Sequence, residues 1–83
     1  MVVHGRVQGV FFRDSTRRRA VAENVAGWIR NRGDGTVEAV FEGDASAIAR
    51  LVRYCEEGPR GAQVDHVERF TEDPEGLTGF RIV

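Results

Sequence analysis

Apolar positions recur along this chain with two different periods, and the changes between them mark the elements. Residues 2 to 7, Val-Val-His-Gly-Arg-Val, read as a strand. Residues 12 to 25 follow the helical period, with Thr16, Ala20, Val21 and Val25 turned inward and Arg17, Arg18, Arg19 and Glu23 outward. Asp14 and the preceding loop are both candidates for the cap of that helix. The short run 27 to 31, Gly-Trp-Ile-Arg-Asn, reads as a strand closed by the turn Arg32-Gly33-Asp34-Gly35. The next strand, 36 to 42, places Val37, Ala39 and Phe41 on one face. An Asp-Gly pair between two strand runs is the strongest hairpin signal in the chain. After the break at Gly43, Asp44 is the expected N-cap of a second helix. Its apolar stripe, Ile48, Leu51, Val52 and Cys55, has the spacing i, i+3, i+4, i+7, and Gly58-Pro59 stops it. Residues 63 to 72 and 79 to 83 supply two more strands around a turn at Pro74-Glu75-Gly76.

The order β-α-β-β-α-β plus a short last strand predicts an α+β, ferredoxin-like two-layer sandwich: two helices on one face of a mostly antiparallel sheet. At 83 residues the chain is read as a single domain, 1–83, with one modest core. Its balance of 41% hydrophobic and 30% charged residues is that of a folded globular domain. No apolar run approaches the ~20 residues of a membrane span, and no signal-peptide pattern opens the sequence. A lone cysteine, Cys55, cannot make an internal disulfide, so a reducing cytoplasm is the expected location. Cys55 sits on the apolar stripe and is expected to be an inert core thiol. One cysteine with His4 and His66, far apart in sequence, does not make a zinc ligand set. Size and a net charge of −1 make a monomer the default.

All 12 basic residues are arginine, so chemistry that needs a lysine, including the nucleotide-binding P-loop, is excluded. One arginine is oddly placed. The segment Gly5-Arg6-Val7-Gln8-Gly9-Val10-Phe11-Phe12-Arg13 runs from strand through a glycine-bracketed loop to the first turn of a helix. A helix N-terminus carries partial positive charge, so a cation there is unfavourable unless an anion lies between them. Loop N–H groups, the helix dipole and the guanidinium fork would then converge on one phosphate-sized group. Taken alone, the glycines could serve a tight turn and Arg13 could be a solvated helix residue.

The second informative segment is Gly27-Trp28-Ile29-Arg30-Asn31, followed by Gly33, Val37 and Gly43. Together the two segments resemble the acylphosphatase family, whose first pattern is Gly, any residue, Val-Gln-Gly-Val, any residue, aromatic, Arg. The resemblance spans essentially the whole chain, with Ile29 in place of a usually smaller residue and a shorter first strand. It implies hydrolysis of acyl phosphates to a carboxylate and inorganic phosphate without metal or cofactor. It also implies that Arg13 is the phosphate-binding catalytic arginine and that Asn31 positions the attacking water. Gln8, Gly9, Val10, Phe11 and Phe12 would form the phosphate loop, gripping through the backbone. The side chains of Phe11, Phe12 and Trp28 are expected to pack in the core or loop.

Two other functions compete. RNA-recognition modules share this element order but need aromatic residues on the strand that is 36 to 42 here, which instead carries outward acids, so no nucleic-acid partner is expected. The run Arg17-Arg18-Arg19 reads as a solvated face, with Glu23 in ion-pair reach of Arg19. The other alternative is a like domain of a larger carbamoyl-transfer enzyme; the short chain favours a free-standing one. The expected partner is a small acyl phosphate alone.

Overall fold

The computed structural model describes residues 1–83 and contains, in order, β1 (Val2–Arg6), α1 (Phe12–Ala22), β2 (Ala26–Asn31), β3 (Val37–Glu42), α2 (Ala45–Glu57), β4 (Gln63–Glu68) and β5 (Phe80–Ile82). The sheet order is β4-β1-β3-β2-β5, antiparallel throughout except for the parallel pair β2–β5. This is the predicted α+β sandwich.

Alternation along the strands sends Val3, Ile29, Val37 and Ala39 to the helix-covered face, where they meet Phe12 and Ala20 of α1 and Ala47, Leu51 and Cys55 of α2. Each helix is applied through its apolar stripe. Phe41 lies on the same side of β3 and packs against Phe80, with ring centroids 5.8 Å apart. Asp44 caps α2 as expected, its carboxylate accepting from Ala47 N–H at 3.2 Å. Cys55 is fully buried; desolvation pushes its thiol up to about 12, which keeps it protonated and unreactive.

Two glycines are required by close approach between strands. A Cβ on Gly5 (φ 131°) would lie 2.1 Å from Gln63 O, at the bulge where the β1–β4 register shifts. A Cβ on Gly27 (φ 146°) would lie 1.8 Å from Val40 O. Each opens one of the two motif segments.

Several boundaries differ from the sequence reading. Helix α1 ends at Ala22 rather than at residue 25, because Asn24 turns left-handed (φ 58°) and redirects the chain. The inward stripe is therefore Phe12, Thr16 and Ala20, and Val21, one position round from Ala20, is 57% exposed. Val25 remains buried, but beyond the helix. Glu23 does not pair with Arg19. It binds Arg50 of α2 at 2.6 Å, while Arg19 lies over the Tyr54 ring. Strand β4 stops at Glu68 rather than residue 72, since Glu68 pairs with Val2 at the start of β1 and the residues beyond have no partner strand.

Candidate active site

Topology alone carries Arg13 and Asn31 to one end of the molecule. Strands β1 and β2 both run antiparallel to β3, so they point the same way and their C-terminal ends share one edge. The loop after β1 leads into α1 at that edge, and Asn31 is the last residue of β2. Asn31 is two positions from the buried Ile29, which turns its side chain toward the helix-covered face.

A side-chain staple joins the two segments. Gln8 Nε2 donates to Arg32 O at 2.8 Å and to Thr36 O at 3.0 Å, tying the loop to the β2–β3 turn one residue beyond Asn31. That turn is itself braced: Asp34 Oδ1 accepts from Thr36 N–H (3.0 Å) and Oγ1 (2.6 Å), and Arg32 N–H donates to Thr36 O. The Thr36 hydrogen bonds hold the Asp34 carboxyl below its ordinary range.

The backbone of the loop is a set of donors without acceptors. None of the turn and cap hydrogen bonds is donated by a backbone N–H between Gln8 and Asp14; the first is that of Ser15, to Phe11 O at 3.0 Å. Residue Phe11 occupies the N-cap of α1, where Ser, Thr, Asp or Asn would satisfy those groups, and no side chain caps the helix. Asp14, the other cap candidate, lies inside the first turn and pairs with Arg18 at 3.1 Å. Gly9 (φ 74°) and Phe11 (φ 59°) are left-handed with Val10 between them, a backbone path of the kind that turns successive N–H groups into an anion-binding concavity.

Arg13 follows directly. It is half-buried whereas the other arginines are exposed, and it makes no ion pair or hydrogen bond to the protein. A guanidinium with five donors and no acceptor, next to an uncapped helix start, is a strong anion receptor. Asn31 supplies the opposite function: its Oδ1 is buried and no protein donor reaches it. A buried acceptor without a partner is costly, unless something that donates a hydrogen bond is meant to sit there.

The family model for acylphosphatase matches residues 1–82. The chain belongs to the acylphosphatase family. Among the relatives it resembles, an acylphosphatase of Rubrobacter xylanophilus is 58% identical over 96% of this chain and 74% of its own length. The crystal structure of acylphosphatase from Bacillus subtilis superposes with a TM-score of 0.93 at 36% identity, covering 99% of this chain and 92% of that one. The same fold also matches, at 26% identity and a TM-score of 0.88, 11% of the chain of full-length HypF in a phosphate- and nucleotide-bound form.

Of the loop residues read from the sequence, Phe12 is in the core, as expected of it, and Val10 packs against that core. Phe11 is not a packing residue: it is 81% exposed, on a left-handed backbone. Trp28 is half-buried, with the Arg30 guanidinium over its ring at 5.6 Å and Arg30 paired with Glu38. The staple made by the Gln8 side chain escaped the sequence reading, which credited Gln8 with backbone contacts only. Its acceptors are main-chain carbonyls, which no residue pattern displays. A groove of about 890 Å³ lies at the opposite end of β3, between α2 and residues 69–77, and contains neither Arg13 nor Asn31. A phosphate needs a shallow ring of donors rather than a deep apolar cavity, so its size is no guide to the chemistry.

Proposed function

We propose that the chain hydrolyses acyl phosphates, with Arg13 and the Gln8–Phe12 backbone binding the phosphate and Asn31 aiming the water, and that it does so without a metal or cofactor. The observation that carries this reading is the joint placement, at one end of the sheet, of an unpaired half-buried Arg13, an uncapped helix start and the unpartnered Oδ1 of Asn31. Phosphoryl transfer is catalysed chiefly by positioning and by charge stabilisation around a loose transition state, and these parts provide both. In the reaction, water oxygen bonds to phosphorus as the bridging P–O bond breaks. The acyl group leaves as a carboxylate that is stable at neutral pH, and the water protons end on phosphate and solvent. No general acid is needed for such a leaving group.

A neutral amide suits the water's position better than a carboxylate. Oδ1 of Asn31 accepts a hydrogen bond from one water O–H and turns the water's lone pair toward phosphorus without adding negative charge beside a dianion. An aspartate there would repel the phosphate and could pair with Arg13 instead. The small substrate and the solitary working of the chain, as a cytoplasmic monomer acting on no nucleic acid, belong to the same reading; no helix is long and apolar enough to cross a membrane.

The test follows loss of an aryl acyl phosphate by ultraviolet absorbance, with chelator present, beside a simple aryl phosphate monoester. The expected result is rapid hydrolysis of the first and none of the second. Activity that requires added metal, or equal rates on the two, would overturn the proposal.

A further inference from the structure

The face of the sheet turned away from the helices carries a cluster that the proposed hydrolysis does not use. His4 on β1 and His66 on β4 are directly opposite in the register, and Glu68 follows His66 by two residues on the same face. The two imidazoles stack with centroids 4.1 Å apart and planes 10° from parallel. Glu68 Oε1 lies 3.3 Å from His4 Nε2 and 3.9 Å from His66 Nε2. The three ligand atoms all fall within 4.8 Å of one another. His4 Nε2 is buried, and despite the nearby carboxylate it makes no hydrogen bond.

We propose that His4, His66 and Glu68 bind one transition-metal ion of the zinc class, clamping edge strand β4 to β1. Two imidazole nitrogens and one carboxylate oxygen are a common donor set for Zn²⁺, with solvent completing a four-coordinate shell. With bonds of about 2.0–2.1 Å, a tetrahedral site separates its ligand atoms by roughly 3.4 Å. The His4–Glu68 spacing meets that value, the His66–Glu68 spacing exceeds it, and all three atoms lie within 4.8 Å of one another. The adjustment falls on His66, whose side chain is 59% exposed on the edge strand and must rotate out of the parallel stack before both ring nitrogens face one ion. Ligands from two strands make the ion a cross-link. It draws β4, which has a neighbour on one side only, onto the body of the sheet. Cluster and phosphate loop sit on opposite faces of the sheet, so this inference stands or falls independently of the proposed hydrolysis.

The test uses tag-free full-length protein stripped with EDTA, titrated calorimetrically with Zn²⁺ and optically with Co²⁺. One ion should bind per chain with a micromolar Kd, Co²⁺ should give the intense visible bands of a low-coordinate site, and saturating Zn²⁺ should raise Tm by ~5 °C or more. Affinity should fall at least tenfold in His66→Ala and separately in the near-isosteric Glu68→Gln, and stay unchanged in Asp73→Asn. Both test positions are exposed, and circular dichroism confirms folding. Hydrolysis by His66→Ala should match that of the parent protein. Absence of saturable binding up to ~1 mM Zn²⁺, or an affinity unaltered in His66→Ala, would overturn the proposal.

Discussion

Helix α1 is bounded at both ends by a non-glycine residue with almost the same left-handed backbone, Phe11 at φ 59° and Asn24 at φ 58°. The two ends make opposite use of it. At the C-terminus, Asn24 N–H donates to Val21 O at 3.1 Å and Val25 N–H to Ala20 O at 2.8 Å, with Val25 buried against the helix. That is a complete Schellman motif, which satisfies the last carbonyls and buries an apolar side chain. Asparagine tolerates the conformation well. At the N-terminus a bulky aromatic residue adopts it, exposes its ring, caps nothing and leaves the first amides without acceptors. One end is explained entirely by folding. The other becomes intelligible once an anion is placed on it, and strain that folding does not repay is characteristic of functional sites.

The sharpest way to break this comparison is to remove the side chains proposed to work at the N-terminal end. Arg13→Ala, and Asn31→Ala or Asp, should each lower kcat/KM on an acyl phosphate by ~10²–10³ or more, as loss of a preorganised donor or positioning group does. Neither side chain is bonded to the protein, so the urea midpoint should hardly move. A large stability loss with modest kinetic change would place both residues in the fold rather than the chemistry.

Next in size is the staple. Gln8→Ala deletes two hydrogen bonds worth about 1 kcal/mol each, frees the loop from the β2–β3 turn, and should cost roughly tenfold in kcat/KM and about 1–2 kcal/mol of stability. Steady-state kinetics and urea denaturation of one preparation check both numbers.

Smaller still, and opposite in sign at the two ends, are the backbone substitutions. Asn24→Ala should destabilise by about 1 kcal/mol and leave activity intact. Phe11→Gly relieves about 1–2 kcal/mol of left-handed strain. The added freedom of the unfolded chain offsets about 0.5–1 kcal/mol of that. The variant should therefore be more stable by up to about 1.5 kcal/mol, yet bind phosphate less well because the loop is less preorganised. Destabilisation at both positions would erase the contrast.

The slightest effect lies away from both helix ends. Glu42 accepts from the N–H groups of Glu75, Gly76 and Leu77 at 2.7–3.1 Å, and these bonds, led by that of Glu75, lower its carboxyl below the ordinary range. A depressed folded value means the anchoring is fully present above the ordinary carboxylate range and is lost as pH falls through the depressed one. Hydrogen exchange at those three amides should accelerate over that acid window, while the Schellman amides of α1 keep their protection.

Much of this was legible in the sequence, for reasons that differ by element. The helix-covered stripe of α2 and the alternation of Val37, Ala39 and Phe41 are burial patterns, which sequence displays directly. Asp44 and the Asp34-Gly35 turn are local chemistry, complete within a few residues. The end of α1 was missed because Asn24 outweighs a helical period that continues to Val25. The end of β4 depends on where β1 begins, a partner more than sixty residues away in the chain. At the candidate site, Arg13 and Asn31 are singled out by motif, whereas the exposure of Phe11 and the Gln8 staple depend on backbone geometry that residue identity does not encode.

The central claim divides the work: the loop and Arg13 hold phosphate, and Asn31 aims water. Calorimetric titration of inorganic phosphate into Arg13→Ala and Asn31→Ala tests that division most directly, since it needs no turnover. The account predicts that Asn31→Ala binds phosphate within about threefold of the parent protein, while Arg13→Ala loses more than tenfold, a difference above roughly 1.4 kcal/mol. Equal losses in the two variants, or none in Arg13→Ala, would contradict it.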